Sequence, residues 1–290
     1  MPDALQQARE FLIKNQIEDS GWGYTKGTTQ PYPEPTCYSL LALAGTSFSP
    51  NKPITWLASL INEEGQLYLP KDDLPNWATA LFVITSIHLN ETSEAQNASI
   101  NWLLDWKSQE VENEESEVTP VDTTLVGWSW ISNTFSWVQP TSLAMVALKM
   151  AGMKTHERVT EGETLLLDRV CLDGGWNFGN PIVYDKKIEP SVMETALAIF
   201  ALQDTPQAET EIERGLAVIA QRAVDMPSTL SLALATLSTN LFDRPTQTFT
   251  DLLLERQEED GSWRQNIWWT ALAALALQTM DGGDNVFKIK

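Results

Sequence analysis

The stretch LLERQEEDGSWRQNIWWTALAALALQT (253–279) contains the unit from which the fold is built. Its first part ends an amphipathic segment, with apolar side chains on one stripe and charged ones on the other, which predicts a helix on the surface. Gly261 can take the positive φ that ends such a helix, and Trp263 can then fold back onto the next one. The part from Trp268 onwards is apolar almost all round and rich in Ala, which is typical of a fully buried helix. The stretch therefore predicts an outer helix, a glycine turn and an inner helix.

The same pair of segments occurs six times along the chain. Inner segments, in which small and branched apolar residues follow a Thr or Ser, lie at 34–45, 76–87, 139–152, 193–203, 228–239 and 268–279. Their superposition on Thr36, Thr79, Thr141, Thr195, Leu230 and Thr270 gives spacings of 35 to 62 residues, which suit a helical-hairpin repeat with variable loops. Amphipathic outer segments precede them, at 3–16, 52–63, 93–107, 156–171, 207–222 and 246–258.

This strict alternation predicts an all-α fold, an (α/α)6 toroid of six outer–inner helical hairpins that forms a single domain over 1–290. Its parallel inner helices would surround a central cavity. An open solenoid is the alternative, but the strongly apolar last inner segment would then face water. Two long loops, at 107–138 and 172–188, and a tail at 281–290 complete the chain. The acidic run in the first loop is typical of a solvated segment.

The composition narrows the class of protein. The chain has 290 residues, with 39 Asp and Glu against 19 Lys and Arg, and a net charge of −20. Nucleic acids and anionic membranes attract clustered Lys and Arg, so neither is an expected partner. The sequence contains only 2 Cys. It has no signal-peptide pattern and no transmembrane segment of ~18 apolar residues, which favours a cytoplasmic protein. The 12 Trp, against 5 Tyr and 9 Phe, are unusual.

The tryptophans occur in two places. One set follows outer segments at glycine turns, as Trp22, Trp176 and Trp263 do, with Leu67 in a weaker copy. Such rings are expected to pack between repeats. A second set of aromatic residues comes before or at the start of inner segments, and we expect it at one mouth of the ring. This set comprises Tyr24, Tyr32, Trp77, Trp128, Trp130, Trp137, Trp268 and Trp269.

The turns carry a family resemblance. An outer helix ending in Gln, followed by Asp-Gly-x-Trp and a helix that opens with Thr-Ala-Leu-Ala, resembles the QW repeat of squalene-hopene and oxidosqualene cyclases. It is also similar to the repeat of protein prenyltransferase β subunits. Gln257, Gly261 and Trp263 match the motif in full, while the turns before Trp22 and Trp176 match it with changes. The resemblance extends from residue 3 to about 280 and implies an (α/α)6 toroid.

The catalytic motifs of these families are not present in full. In the triterpene cyclases a D-x-D-D-T-A motif supplies the acid that protonates an alkene. Here Glu34 stands at the central acid position of one copy, Glu194 at the last acid position of another, and Asp122 in the similar stretch PVDTTLV. Prenyltransferases bind Zn²⁺ through an Asp, a Cys and a downstream His, but no His follows Cys171. We therefore predict neither a metal nor a cofactor.

The mouth of the ring contains the remaining candidate residues. Inner segments begin with Glu34-Pro35, Gln139-Pro140 and Glu189-Pro190. A Pro at the start of a helix with an acid beside it is also an ordinary helix-start pattern. Aromatic rings at the same level stabilise cations by ~0.5–2 kcal/mol each and line apolar pockets. Glu34, Asp122 and Glu194 are the candidate acids, and the mouth aromatics with Gln139 and Glu189 are candidate ligand-binding residues.

Three hypotheses follow. The first is a terpene cyclase-like protein that binds an apolar isoprenoid or lipid and carries out metal-independent, proton-initiated cyclisation or isomerisation. Glu34 or Asp122 would then donate the proton. The second is a non-catalytic isoprenoid- or lipid-binding module, or the partner subunit of another protein. The third is a carbohydrate-processing toroid, which needs two facing carboxylates roughly 5–9.5 Å apart.

Overall fold

The computed structural model describes residues 2–68, 77–109 and 119–290. Most of the acidic run of the first long loop therefore lies outside the described residues. Six outer helices alternate with six inner ones over the described ranges. The outer helices are α1 (Pro2–Lys14), α3 (Asn51–Ser59), α5 (Glu94–Asp105), α7 (Glu157–Asp168), α9 (Glu209–Asp225) and α11 (Gln247–Leu254). The inner helices are α2 (Pro33–Leu43), α4 (Trp77–His88), α6 (Val138–Met150), α8 (Val192–Leu202), α10 (Thr229–Leu241) and α12 (Ile267–Met280).

Strand structure is slight in the part of the chain that is described. It consists of a two-residue antiparallel pair in the second long loop, β1 (Ile182–Val183) and β2 (Lys186–Lys187), besides isolated bridges. The prediction of an all-α fold is confirmed. No helix among the described residues is long and apolar enough to cross a membrane.

The inner helices close into a ring. Each packs against the next in the order α2, α4, α6, α8, α10 and α12, and α12 packs against α2. The first outer helix, α1, packs mainly against α12 and so covers the junction between the two ends of the chain. Because outer and inner helices alternate around this ring, the inner helices run in the same direction. Their N-termini gather at one end, which we call the mouth.

A repeated hydrogen-bond pattern fastens each turn to the following inner helix. The backbone N–H at the Trp position donates to a Thr hydroxyl in the first turn of that helix. The pairs are Trp22 with Thr36 (2.9 Å), Leu67 with Thr79 (3.0 Å), Trp128 with Thr141 (3.0 Å), Trp176 with Thr195 (2.9 Å) and Trp263 with Thr270 (3.1 Å). Each indole N–H also donates to a carbonyl of the preceding outer helix, at Leu12, Leu103, Leu166 and Leu253. The turn therefore ties an outer helix to an inner one.

The hydrogen bonds at the helix starts change which residue of the fifth inner helix is equivalent to the Thr of the others. In α2, α6, α8 and α12 the Thr is the fourth residue after the N-cap, and its N–H donates to the N-cap carbonyl. In α10 the N-cap is Ser228, and the N–H that donates to its carbonyl belongs to Leu232. Leu232, two residues beyond Leu230, is therefore the equivalent residue.

Close packing where the ring closes explains why residue 261 is a glycine. Gly261 has a φ of +85°, and a Cβ there would lie 2.4 Å from the carbonyl oxygen of Gln7 in α1. The amide of Gln257 donates to the carbonyl of Ala4 (2.9 Å) and to that of Gly261 (3.0 Å). This Gln-Gly pair of the turn motif thus joins the last repeat to the first.

The tail packs across the end of the ring opposite the mouth. The ring of Phe287 is fully buried and stacks on Phe200 of α8, with ring centroids 4.3 Å apart. The amide of Asn285 donates to the carbonyl of Leu237 in α10 (2.8 Å), and the amide of Gln203 to the carbonyl of Phe287 (2.8 Å). Residues 285–289 therefore cover the C-terminal ends of α8 and α10.

Candidate functional site

Helix geometry determines which side chains face the axis of the ring at the mouth. The Thr positions face the outer wall, and residues two before and two after them lie roughly 200° round the helix. The residues two before form a layer that we call the mouth layer: Glu34, Trp77, Gln139, Met193, Leu230 and Trp268. The residues two after form its floor: Tyr38, Leu81, Leu143, Leu197, Leu234 and Leu272, each at most 4% exposed. The mouth layer therefore lies on an apolar layer, and Glu34 is its acid; we call the two layers together the mouth basin.

Glu34 is a buried carboxyl without a basic partner. It is 7% exposed and takes part in none of the ion pairs among the described residues. The hydroxyl of Tyr24 donates to its Oε2 at 2.8 Å. Burial raises the pKa of Glu34 to about 7, and the hydrogen bond from Tyr24 offsets only part of this rise. A carboxyl with this pKa is both protonated and ionised in comparable amounts at neutral pH.

Aromatic rings surround this carboxyl. Tyr24 lies against Tyr32 (ring centroids 5.4 Å apart) and edge-on to Trp268 (6.4 Å), and Tyr38 also contacts Trp268 (6.4 Å). Tyr38 lies one turn beyond Glu34 on α2. Burial, reinforced by the charge of Glu34, raises the pKa of both Tyr24 and Tyr38, so that their hydroxyls remain protonated.

The two inner helices that flank α2 each carry an indole at the mouth-layer position. α12 and α4 flank α2 in the ring, and their mouth-layer residues are Trp268 and Trp77. Trp77 packs edge-on against Trp130 from the first long loop, with centroids 5.7 Å apart. Indole faces attract cations by ~0.5–2 kcal/mol each. The basin therefore offers a proton donor beside aromatic groups that stabilise positive charge.

Two of the predicted acids have structural partners instead. Glu194 is buried, and burial raises its pKa, but its carboxylate accepts a hydrogen bond from the hydroxyl of Ser191. Ser191 is the N-cap of α8 and accepts the N–H of Glu194, so the pair stabilises the helix start. Glu189 is exposed and forms ion pairs with Arg222 and Lys187. Neither belongs to the mouth layer.

Asp122 also lies away from the mouth layer. Its backbone N–H donates to the carboxylate of Asp168 (3.1 Å), and its carbonyl accepts from Arg169 (2.9 Å), which places it beside the end of α7. Hydrogen bonds from the hydroxyl and N–H of Thr124 lower the pKa of Asp122. An acid that stays ionised is poorly suited to donate a proton, so the structure favours Glu34 over Asp122.

The structure places one of the aromatic residues predicted for the mouth, Trp128, elsewhere. Trp128 is 2% exposed, and its indole donates to the carbonyl of Leu103 (3.0 Å), with the guanidinium of Arg158 4.1 Å from the ring centroid. It therefore occupies a turn position and not the mouth. The Gly-Trp pair at 127–128, which also occurs at 21–22 and 175–176, is the sequence signal that marks it.

The remaining predicted binding residues lie at several levels of the mouth. Tyr32 and Trp137 are the N-caps of α2 and α6, and the ring of Trp137 lines a separate cleft on the flank. Trp269 lies one residue beyond the mouth layer on α12, whereas Gln139 belongs to that layer on α6. The sequence motifs do not indicate Tyr38 or Met193. Only the register of the inner helices shows that Tyr38 belongs to the floor and Met193 to the mouth layer.

Cys171, which lies three residues beyond the end of α7, is buried. Burial raises the pKa of Cys171 to about 11. Over residues 2–68, 77–109 and 119–290, no group of three or more His, Cys, Asp and Glu side chains is arranged to hold a metal ion.

Comparisons with known proteins identify the fold. No family model and no curated protein matches the sequence. Among solved structures, type II terpene cyclase MstE from Scytonema is 14% identical, with a TM-score of 0.67 over 97% of this chain and 98% of that chain. A protein from Actinoplanes is 15% identical (TM-score 0.66, 97% and 99% covered). Protein geranylgeranyltransferase-I from Candida albicans, solved with GGPP, is 12% identical (TM-score 0.63, 99% and 95% covered). The chain thus has the α/α toroid fold of terpene cyclases and protein prenyltransferases.

Proposed function

We propose that this protein binds an apolar isoprenoid in the mouth basin and catalyses its proton-initiated cyclisation or isomerisation, with Glu34 as the acid. The observation that carries the proposal is the buried Glu34 carboxyl, whose pKa of about 7 keeps a proton available at neutral pH, on a helix flanked by the helices of Trp268 and Trp77. General acids work best when their pKa lies near the working pH.

The chemistry requires no co-reactant. Glu34 gives its proton to one carbon of an alkene, the π electron pair forms the new C–H bond, and the other carbon becomes cationic. A second double bond can then attack that carbon and close a ring. The final cation loses a proton from a neighbouring carbon, and the Glu34 carboxylate can accept it. Trp268, Trp77 and the tyrosines stabilise the intermediate positive charge.

The structural neighbours support the ligand class. A variant of MstE has been solved with geranylgeranyl dihydroxybenzoate, its substrate, and the Candida enzyme with GGPP. Both ligands contain a geranylgeranyl chain, and both proteins share the toroid fold. An apolar basin floor of five leucines and Tyr38 suits such a chain.

The two alternatives differ in their use of the acid. A non-catalytic isoprenoid-binding module needs the basin but has no use for a buried, proton-bearing carboxyl. A carbohydrate-processing site needs a second catalytic carboxylate. The nearest candidates, Glu194 and Glu189, are engaged with Ser191 and with Arg222 and Lys187. Neither alternative therefore accounts for Glu34 as well as the cyclase proposal does.

Incubation with squalene and with C15 to C20 prenyl compounds, followed by gas chromatography and mass spectrometry, tests the proposal. We expect a cyclised or isomerised product from at least one substrate, and loss of that product in Glu34→Gln with substrate binding retained. Glu189→Gln, an exposed acid at the same end, is the matched control and should keep its rate. Tight binding without any product would favour the non-catalytic module, and an unchanged rate in Glu34→Gln would refute the assignment of the acid.

A further inference from the structure

A second cleft opens on the flank of the ring at its mouth end, between the start of α6, the end of α7 and the two long loops. It has a volume of ≈ 240 Å³. Its lining includes Val121, Leu125, Phe135, Trp137, Arg169 and Asn180. None of these six residues belongs to the mouth layer, and none forms a hydrogen bond with Glu34. The cleft is therefore a separate site, and the proposed cyclase chemistry makes no use of it.

The walls of this flank cleft are largely apolar. The aromatic rings of Phe135 and Trp137 and the aliphatic side chains of Val121 and Leu125 form them. The side chain of Phe135 is 53% exposed, which is unusual for a Phe that could otherwise be buried. Aromatic and aliphatic walls of this kind favour a flat apolar surface on the ligand.

The polar residues of the flank cleft include the charged Arg169 and the uncharged Gln109, Thr119, Thr123, Ser136 and Asn180. The Arg169 side chain is only 5% exposed, so it belongs to the built wall of the cleft. One N–H group pairs with the carboxylate of Asp168, and another donates to the carbonyl of Asp122 at 2.9 Å. A guanidinium has five N–H donors, so three remain beyond these two bonds. Asn180, whose side chain has a donor group and an acceptor, belongs to the same lining.

The charge balance determines which acceptor these donors suit. Asp168 compensates the positive charge of Arg169, and the carboxylate of Asp122 adds a negative charge nearby. The charges of Arg169 and these two carboxylates therefore sum to a negative value, which disfavours a free anion in the cleft. A neutral hydroxyl or carbonyl oxygen can accept the remaining N–H groups without this repulsion.

We infer that the flank cleft binds one uncharged aromatic ring that carries hydroxyl or carbonyl oxygens. The ring would pack against Phe135 and Trp137, with its oxygens directed to Arg169 and Asn180. A volume of ≈ 240 Å³ lies just below the ~300–1,000 Å³ of clefts that hold drug-sized ligands, so the ligand is a single substituted ring and not a long chain.

Calorimetric titration with methyl 4-hydroxybenzoate tests the inference. This probe is neutral and has a phenol hydroxyl and an ester carbonyl on one ring. We expect it to bind with saturation at one site, several-fold more tightly than the 4-hydroxybenzoate anion or methyl α-glucoside. No binding of the ester, or tighter binding of the anion or of the sugar, would overturn the inference.

Two variants locate the binding. Phe135→Ala should weaken binding roughly 2- to 10-fold, the range expected for one aromatic contact. Leu125→Trp should fill the cleft and abolish binding. Tyr184→Ala is the matched control, because Tyr184 is a 67% exposed aromatic residue in the loop of the β1–β2 pair, and binding should not change. Equal affinities in all three variants would place the probe elsewhere and refute the assignment.

A last comparison separates this site from the mouth basin. Glu34→Gln should bind methyl 4-hydroxybenzoate with the affinity of the unmodified protein. A large loss of affinity in this variant would show that the probe occupies the basin instead, which would overturn the flank site and leave the proposed function standing.

Discussion

The buried carboxyl of Glu34 should make the stability of this protein depend on pH, and Glu34→Gln should remove that dependence. Folding raises the pKa of Glu34 from its ordinary 4.5 to about 7. Each pKa unit corresponds to about 1.36 kcal/mol. At pH values above the pKa of both the unfolded and the folded state, the ionised group therefore lowers the unfolding free energy by roughly 3 kcal/mol. The side chain is only 7% exposed, so solvent screening reduces this figure little.

The sign of the effect follows from the protons bound in each state. Below pH 4.5 the carboxyl is protonated in both states, so it does not lower the unfolding free energy. Between 4.5 and about 7 the unfolded chain releases the proton while the folded protein keeps it, so stability falls as the pH rises. Above about 7 both states are ionised, and the full cost remains. Gln has no proton to release. The unfolding free energy of the variant therefore rises relative to that of the unmodified protein across this window, and the difference then stays constant at higher pH.

Urea unfolding, followed by tryptophan fluorescence between pH 4 and 8.5, measures this difference. The quantity of interest is the unfolding free energy of Glu34→Gln minus that of the unmodified protein, because all other titrating groups cancel. Gln139→Leu, at the equivalent mouth-layer position of α6, removes a polar group that does not titrate, so its effect should be constant with pH. If the Glu34→Gln difference is equally flat, the carboxyl is not perturbed and the argument for its role as an acid fails.

Tyr24→Phe provides a second check on the same group. Its hydroxyl donates to the Glu34 carboxylate at 2.8 Å and thereby lowers the pKa of that carboxyl. Without this donor the pKa should rise further, and the window of pH-dependent stability should extend to higher pH. The infrared carbonyl band of the protonated carboxyl, followed as a function of pH, measures the pKa directly. A lower pKa in the variant would contradict the geometry.

Two further substitutions test the architecture. Thr195→Val removes the hydroxyl that accepts the N–H of Trp176 and leaves a buried donor unpaired, which should cost ~1–3 kcal/mol in urea unfolding. Thr164→Val, on the exposed side of α7, should change stability by less than ~0.5 kcal/mol, and an equal loss at both sites would refute the role of the turn bond. Phe287→Ala should cost ~3–5 kcal/mol and make the tail more sensitive to protease, whereas an unaffected melting curve would show that the tail does not hold the ring.

The helices and their two classes could be predicted from the sequence because they depend on local patterns. A run such as 268–279 has no polar face, and a helix of that kind can only be buried, whereas 207–222 has one charged face and can only lie outside. All twelve predicted segments correspond to helices of the structure, with ends that differ by a few residues. The ring closure required the contact of α12 with α2, which joins residues more than two hundred positions apart.

The registers of two repeats could not be predicted in the same way. The turn at Trp128 follows a long loop, so its spacing from the outer helix α5 differs from that of the other turns. In α10 a Leu replaces the Thr of the other inner helices, and the superposition on Leu230 was wrong by two residues. In both cases the hydrogen bonds of the folded chain, and not the residue types, define which positions are equivalent.

The sequence by itself determined that helices alternate between surface and core, and that acids and aromatic residues precede the inner helices. These properties follow from the periodicity of a single segment. Only the tertiary structure distinguished the three acids, because Glu34, Glu194 and Asp122 share one residue class and similar local sequences. Glu34 accepts a hydrogen bond from Tyr24, whose ring packs against Trp268 near the other end of the chain, whereas Ser191 and Thr124 donate hydrogen bonds to the other two acids locally. Desolvation depends on neighbours that are distant in sequence, and for that reason it could not be predicted from the residues around each acid.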